Sequence, residues 1–159
     1  FNFGYSSIGA GFESSVYYNC TSDNRYFFHK NGYTDPIISE HVHDKKFIDL
    51  PQAYTRCSMI ALNEHLYITS DKGIEKELKK HELNLFYFSS EHIRIIDHPY
   101  GFFGGTCGIA GNKIFFNGNI LKHEHGKELS ELLTKLNYEI VCLYDDFLYD
   151  GGGVFFFGD

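Results

Sequence analysis

The sequence has no tryptophan, only one methionine and three prolines, and no long apolar run. Even the apolar C-terminal run, residues 154–157, is bounded by Gly153 and Gly158. A helix that crosses a bilayer needs roughly 20 consecutive apolar residues. We therefore predict that no segment spans a membrane.

Positive charge is also scarce. The chain carries 14 Lys and Arg against 21 Asp and Glu, a formal net charge of -7 with a pI near 5.7. Binding to a phosphate backbone or an anionic bilayer needs a clustered basic surface, which this composition does not provide. The sequence predicts neither nucleic acid nor membrane as a partner.

Cysteine is sparse and widely spaced, at Cys20, Cys57, Cys107 and Cys142. This spacing forms neither a disulfide framework nor a CxxC zinc site, and it favours free thiols in a cytoplasmic protein. The nine histidines include the pairs 41/43 and 123/125, but neither pair has an identifiable third ligand, so we predict no metal site and polar, solvated faces instead. Glycine-rich motifs that bind nucleotides are absent, and we predict no cofactor.

What the chain does have is aromatic residues, 16 Phe and 12 Tyr among 159 residues. Rings in this number favour a core built on β-sheets. A recurrent order of strand, turn, strand, helix and strand follows from the apolar periodicity. The first unit is predicted with strands 16–20, 25–29 and 47–50, the second with strands 57–62, 65–69 and 83–88, and the third with strands 106–110, 113–117 and 138–143.

The helices of these units have their own signals. Asp35-Pro36 opens the first, Ser70 and Asp71 offer an N-cap to the second, and leucines 129, 132, 133 and 136 mark one face of the third. A further strand is predicted at residues 154–157. The fold class is therefore α/β, with about three ββαβ modules and a terminal strand in a partial, propeller-like fan; an open α/β sandwich is the alternative.

Two glycine-rich segments, residues 100–108 and 150–153, join the units. Glycine permits close backbone approach, which suits either a ligand site or tight packing. Cys57 and Cys107 are both predicted at the head of a unit's first strand, and Arg56 is a sequence neighbour able to lower a thiol pKa. Buried, unreactive cysteines are the alternative interpretation.

Four segments, residues 52–58, 68–74, 100–108 and 150–153, resemble an uncharacterised bacterial family of the pentein fold, the fold of the guanidino-group-modifying enzymes. The resemblance implies a fan of ββαβ modules about a central site. The chain begins at Phe1 without an initiator methionine, and we expect residues 1–159 to form a single pentein-like domain that lacks N-terminal modules of a longer chain.

The deiminases of that fold use a cysteine after a C-terminal glycine cluster and a histidine from a middle module. Here residues 154–157 follow the glycines without a cysteine, and residues 102–105 stand where the histidine would be. The resemblance therefore implies a non-catalytic domain that binds a small polar ligand or a protein. The alternative is a hydrolase or transferase acting on a guanidino or other C–N compound through Cys107 or Cys57, with Asp150 or Asp71 gripping the ligand.

The expected ligand-binding residues come from the same segments. They are Tyr54, Thr55, Asp71, Gly104, Gly105, Thr106, Gly151 and Gly152. An incomplete fan leaves strand edges open, which predicts a homo-oligomer or a companion chain.

Overall fold

The computed structural model describes residues 3–62 and 66–157, apart from the side chains of Phe12 and Glu13. It is a mixed α/β structure with three sheets of three strands each. The strands are β1 (Thr21–Ser22), β2 (Tyr26–His29), β3 (Lys46–Asp49), β4 (Met59–Leu62), β5 (Leu66–Thr69), β6 (Leu85–Tyr87), β7 (Cys107–Ala110), β8 (Lys113–Phe116) and β9 (Glu139–Cys142). The helices are α1 (Phe12–Ser15), α2 (Pro36–His41), α3 (Thr55–Ser58), α4 (Lys72–Lys80) and α5 (Gly126–Lys135), with 3₁₀ helices at Phe103–Thr106 and Ile120–Lys122.

All three sheets have the same internal order. The first two strands pair antiparallel, and the third strand pairs parallel with the second after a helical connection. A parallel pair needs such a crossover, whereas an antiparallel pair needs only a turn. The ββαβ order of each unit agrees with the predicted order of elements. The predicted turn at Asn63-Glu64 lies outside the described residues.

The helices begin where their caps predict. The Asp35 carboxylate accepts from the Ile37 amide at 2.9 Å ahead of Pro36, and the Asp71 carboxylate accepts from the Ile74 amide at 2.8 Å. These acceptors satisfy amides that have no partner inside the helix. On α4 an i,i+4 ion pair also forms, with Lys79 Nζ 2.8 Å from a Glu75 carboxylate oxygen.

The second sheet is apolar on both faces. Ile60, Leu62, Leu66 and Ile68 pack with Leu129 and Leu133 of α5 and with Ile114 and Phe116 of β8. Met59 and Tyr67 are next to these residues along the strands, and they pack instead with Ile74 and Leu78 of α4 and with Phe28 and Ile48 of the first sheet. Alternate strand residues point to opposite faces, so the sheet joins two cores. Within the described residues the three sheets form no closed ring.

The first strands of the first two units were predicted with the wrong bounds. Residues 16–20 are not a strand, because Asn19 donates to the Val16 carbonyl at 2.9 Å in a turn, and the strand is only β1. Cys57 and Ser58 belong to the helical turn α3, and their strand starts at Met59.

The predicted terminal strand at residues 154–157 is also absent from the assigned strands. Gly152 and Gly153 have φ of 88° and 104°, so the chain turns just before this segment. Val154 then donates one bond to the Cys107 carbonyl, and no ladder is assigned beyond it.

Candidate functional site: a groove at the meeting point of three sheets

The first strands of the three sheets meet beside a groove of about 300 Å³, which we call the hub groove. Its lining comes from β1, β4, β7, the end of α3 and the C-terminal segment. The residues are Thr21, Ser22, Arg56, Ile60, Ala61, Ile109, Val154, Phe155 and Phe156. The groove therefore lies where all three units contribute.

The glycine-rich segment before β7 packs directly against α3. Residues 103–106 form a buried 3₁₀ helix, and a Cβ on Gly104 would overlap the backbone carbonyl oxygen of Arg56. Only glycine allows this approach of two backbones. The predicted inter-unit turn is thus a packed helical turn beneath the groove.

Asp150 is buried and bound to backbone amides. One carboxylate oxygen accepts from Phe102 at 2.8 Å, and the other accepts from Gly152 at 3.0 Å. A Cβ on Gly105 would overlap this carboxylate. Gly151 and Gly153 then donate to the Gly105 carbonyl at 3.0 and 2.9 Å, so the two glycine-rich segments are held together around Asp150.

Arg56 is the charged residue of the hub groove. Its guanidinium donates to the carbonyls of Gly104 at 2.6 Å and Cys107 at 3.1 Å. It also lies over the Phe155 ring, with its central carbon 5.2 Å from the ring centroid. Among residues 3–62 and 66–157, no carboxylate forms an ion pair with it.

Cys57 and Asp150 lie near one another, since the Asp150 charge acts on the Cys57 thiol. Burial raises the pKa of that thiol and Asp150 raises it too, while a hydrogen bond from Asn19 and the charge of Arg56 act in the opposite direction. The Asn19 side chain makes two hydrogen bonds to Cys57: its Nδ2 donates to Sγ at 3.1 Å, and its Oδ1 accepts from the Cys57 amide at 3.1 Å.

The pKa values of the other two thiols near the units' first strands are raised as well. Cys107 is fully buried and donates weakly to the Phe103 carbonyl at 3.8 Å, and burial raises its pKa to about 11. Burial likewise raises the pKa of Cys20 to about 11. A thiol attacks as thiolate, so Cys20, Cys57 and Cys107 are all poor nucleophiles near neutral pH.

The predicted equivalence of Cys57 and Cys107 is wrong. Met59 and Cys107 each begin the first strand of a unit, as β4 and β7 show, so Cys107 corresponds to Met59. Cys57 instead corresponds in position to Gly105 of the 3₁₀ helix. The two thiols therefore do not occupy matching places.

No histidine bonds to Cys57, Cys107 or Asp150 in the described part of the chain. His29 is buried and uses both ring nitrogens, one with Thr34 Oγ1 at 2.7 Å and one with the Ala53 carbonyl at 3.0 Å. Contrary to the predicted solvated face, His123 is buried as well and is bound to the Glu91 carbonyl at 2.8 Å. Within the described ranges there is also no group of three or more His, Cys, Asp or Glu side chains able to hold a metal ion.

The remaining predicted ligand-binding residues serve local structure. The Tyr54 hydroxyl lies 2.6 Å from Ser15 Oγ, and Thr55 Oγ1 donates to the Gln52 carbonyl at 2.9 Å. Thr106 Oγ1 donates to the Phe103 carbonyl at 2.6 Å, and Asp71 caps α4. Gly104, Gly105, Gly151 and Asp150 are brought together beneath the groove, while Asp71 is held at the start of α4.

Most of the residues that line the groove were not predicted from the sequence. Thr21, Ser22, Ile60, Ala61 and Ile109 reach it only because three strands that are distant in sequence converge. Arg56 was noted only as a neighbour of Cys57. Its position beside Cys57 is the one sequence feature that pointed to it.

The solved structures most similar to this chain include two of an enzyme. C. jejuni agmatine deiminase matches over 79% of this chain and 48% of its own, at 9% identity and a TM-score of 0.55. A Cys→Ser variant of C. jejuni agmatine deiminase with substrate bound matches over 79% and 49%, at 11% identity and 0.56. DDAH from Pseudomonas aeruginosa, in complex with citrulline, matches over 78% and 46%, at 9% identity and 0.48.

The chain thus has, over the matched part, the α/β fold of the pentein enzymes, and it spans about half the length of the agmatine deiminase chains. Residues 2–155 match a family described as a family of unknown function, DUF6873, and the chain belongs to that family. No curated protein matches it. Within the described ranges, no helix is both long and apolar enough to cross a bilayer.

Proposed function

We propose that this chain is a non-catalytic binding domain of the pentein fold, whose ligand site is the hub groove. The ligand is a small polar molecule or a segment of a partner protein. All four cysteines are free thiols, which suits a cytoplasmic protein. The position of the groove, at the meeting point of the first strands of three units, is the observation that carries the proposal.

The state of the reactive groups supports a binding role over catalysis. Nucleophilic catalysis requires a thiol whose pKa is lowered, with a base within hydrogen-bond reach. Burial raises the pKa of Cys57 and of Cys107, and Asp150 is bound to the amides of Phe102 and Gly152. The groups available beneath the groove therefore stabilise the fold.

The experiment that tests this proposal is alkylation of the native protein by iodoacetamide over a range of pH, with labelled sites identified by mass spectrometry. We expect exposed Cys142 to react first, Cys20 and Cys57 slowly, and Cys107 only in denaturant. Because the pKa values of Cys20 and Cys57 are raised, their labelling rates in the native protein should still be rising above pH 8.5.

Two controls sharpen this experiment. Cys142→Ser removes the fast site, so that slow labelling of Cys57 is measured without interference. Incubation with agmatine, followed by an assay for released ammonia, tests turnover directly. Rapid labelling of Cys57 below neutral pH, together with ammonia release that Cys57→Ser abolishes, would replace the binding proposal with the cysteine-enzyme alternative.

A further inference from the structure

We infer that the hub groove selects an anionic ligand, a small carboxylate with an apolar body. The inference rests on the proposed function, since it names the ligand class of the same groove. It depends on one charged side chain, Arg56, and on what surrounds that side chain.

Arg56 forms no ion pair with a carboxylate within the described part of the chain. A guanidinium has five N–H donors, and the carbonyls of Gly104 and Cys107 each accept from one of its terminal nitrogens. Carbonyls accept hydrogen bonds but bring no net charge. Since no ion pair to Arg56 is formed by the described residues, a bound anion would supply the missing counter-charge.

The lining of the groove contains no competing acid. Its described residues include neither Asp nor Glu. Asp150 lies nearby, but its oxygens are bound to the amides of Phe102 and Gly152. A cationic ligand such as a guanidinium or an amine would therefore meet Arg56 with no carboxylate in the described lining to bind it.

The rest of the lining defines the ligand's body. The apolar residues of the lining are Ile60, Ala61, Ile109 and Val154, with Phe155 and Phe156 of the C-terminal segment. Thr21 and Ser22, whose side chains carry hydroxyl donors, also line the groove. At about 300 Å³ the groove lies at the small end of ligand sites, which range from roughly 300 to 1,000 Å³, so it fits a small molecule.

The inference is tested with three probes that share one apolar body: hexanoate, hexanamide and hexylammonium. Each is titrated into the unmodified, isotope-labelled chain while amide NMR shifts of Ser22, Ala61 and Ile109 are followed. We expect hexanoate to shift these amides with an affinity about tenfold above that of hexanamide, and hexylammonium to bind more weakly still.

The outcomes separate the two proposals. If hexylammonium binds the groove as well as hexanoate does, the groove binds ligands but the anion inference is overturned. If no probe shifts the groove amides, both the anion inference and the proposed ligand site are overturned. Because this comparison uses the natural sequence, it does not depend on whether a variant folds.

A matched pair of variants then tests the assigned residue. Arg56→Gln removes the charge, and we expect it to lower hexanoate affinity about tenfold and to abolish the preference over hexanamide. Arg94→Gln is the control, because Arg94 also lies over a phenylalanine ring, 4.5 Å from the Phe147 centroid, but lines a different groove. Unchanged hexanoate affinity in a folded Arg56→Gln variant would overturn the assignment.

Discussion

At the scale of single residues, the most informative difference between sequence and structure is Asp150. An aspartate ahead of three glycines suggests a ligand-gripping carboxylate, yet both of its oxygens accept from backbone amides. The same glycines that permit ligand approach also permit this packing, and the sequence could not distinguish the two uses. Buried carboxylates need such partners, because an unpaired buried charge is costly.

This packing predicts a specific coupling between Asp150 and Gly105. Gly105→Ala places a methyl group where the carboxylate lies, and we expect a loss of about 1–3 kcal/mol in the free energy of unfolding. Asp150→Ala removes two hydrogen-bond acceptor oxygens and should cost about 1–3 kcal/mol by itself. The double variant should lose less free energy of unfolding than the two single variants together, because the added methyl group no longer meets the Asp150 carboxylate. Urea denaturation measures all three.

Gly11→Ala is the matched control for this cycle. Its added Cβ would approach only Ser14 Oγ, at 3.6 Å, and Gly11 has a φ of -76°, which alanine adopts freely. We expect a change within about 0.5 kcal/mol. If the losses of unfolding free energy from Gly105→Ala and Asp150→Ala simply added in the double variant, there would be no steric overlap between the added methyl group and the Asp150 carboxylate.

At the scale of elements, a pair of histidines joins two connecting segments. His123 Nδ1 accepts from the His125 amide at 3.1 Å, which leaves Nε2 to donate to the Glu91 carbonyl at 2.8 Å. His125 Nδ1 accepts from the Ser89 amide at 3.1 Å. The His123 ring also stacks on Phe88, with centroids 4.0 Å apart. Because Nδ1 accepts a hydrogen bond, His123 is neutral in this arrangement.

Acid should weaken this contact. Burial lowers the pKa of His123 below its usual 6.5, so the unfolded chain takes up the proton first. The stabilisation is fully present above pH 6.5 and is lost as pH falls through the lower pKa of the folded state. Burial also lowers the pKa of His29, so the stabilisation from this residue is likewise lost in acid.

We expect His123→Gln to reduce the fall in unfolding free energy between pH 8 and pH 5, because the amide keeps a donor but gains no proton. Thermal or urea denaturation at a series of pH values measures this slope. His43→Gln, at an exposed position whose ring nitrogen bonds to the Glu40 carbonyl of its own segment, is the control and should leave the slope unchanged. A slope unaltered by His123→Gln would show that His123 is not the titrating group.

Elements with strong local signals were predicted well. The capped helices α2 and α4 begin at the expected residues, and the strands β2, β5 and β8 lie inside the predicted ranges as far as the structure describes them. The failures share one cause, which is that a short apolar run need not form a paired strand: residues 57–58 lie in a helical turn, and residues 154–157 have no assigned ladder. The conformation of residues 57–58 depends on their contact with Gly104, and that of residues 154–157 depends on the hydrogen bond to the Cys107 carbonyl. Such tertiary contacts are not visible in a local sequence pattern.

At the scale of the whole molecule, the sheets differ in how well they are covered. The second sheet is covered on both faces by α4 and α5 with the neighbouring sheets. On the outer face of the third sheet, half-buried Phe115 contacts Phe156, with ring centroids 4.7 Å apart. The order of the units followed from the sequence, whereas the hub groove did not, because it exists only where β1, β4 and β7 meet.

This uneven coverage favours self-association of the chain. Phe155, Phe156 and Phe157 are 61%, 46% and 83% exposed, an apolar surface continuous with the outer face of the third sheet. Exposed patches of this kind mark interaction sites. We expect light scattering across a dilution series to show a dimer or larger species, and Phe157→Ser to shift it toward monomer. Phe3→Ser, at a phenylalanine that is 93% exposed near the other end of the chain, should leave the distribution unchanged. A protein that is monomeric at every concentration would contradict self-association, and the C-terminal phenylalanines would then not be a contact site for a second copy of this chain.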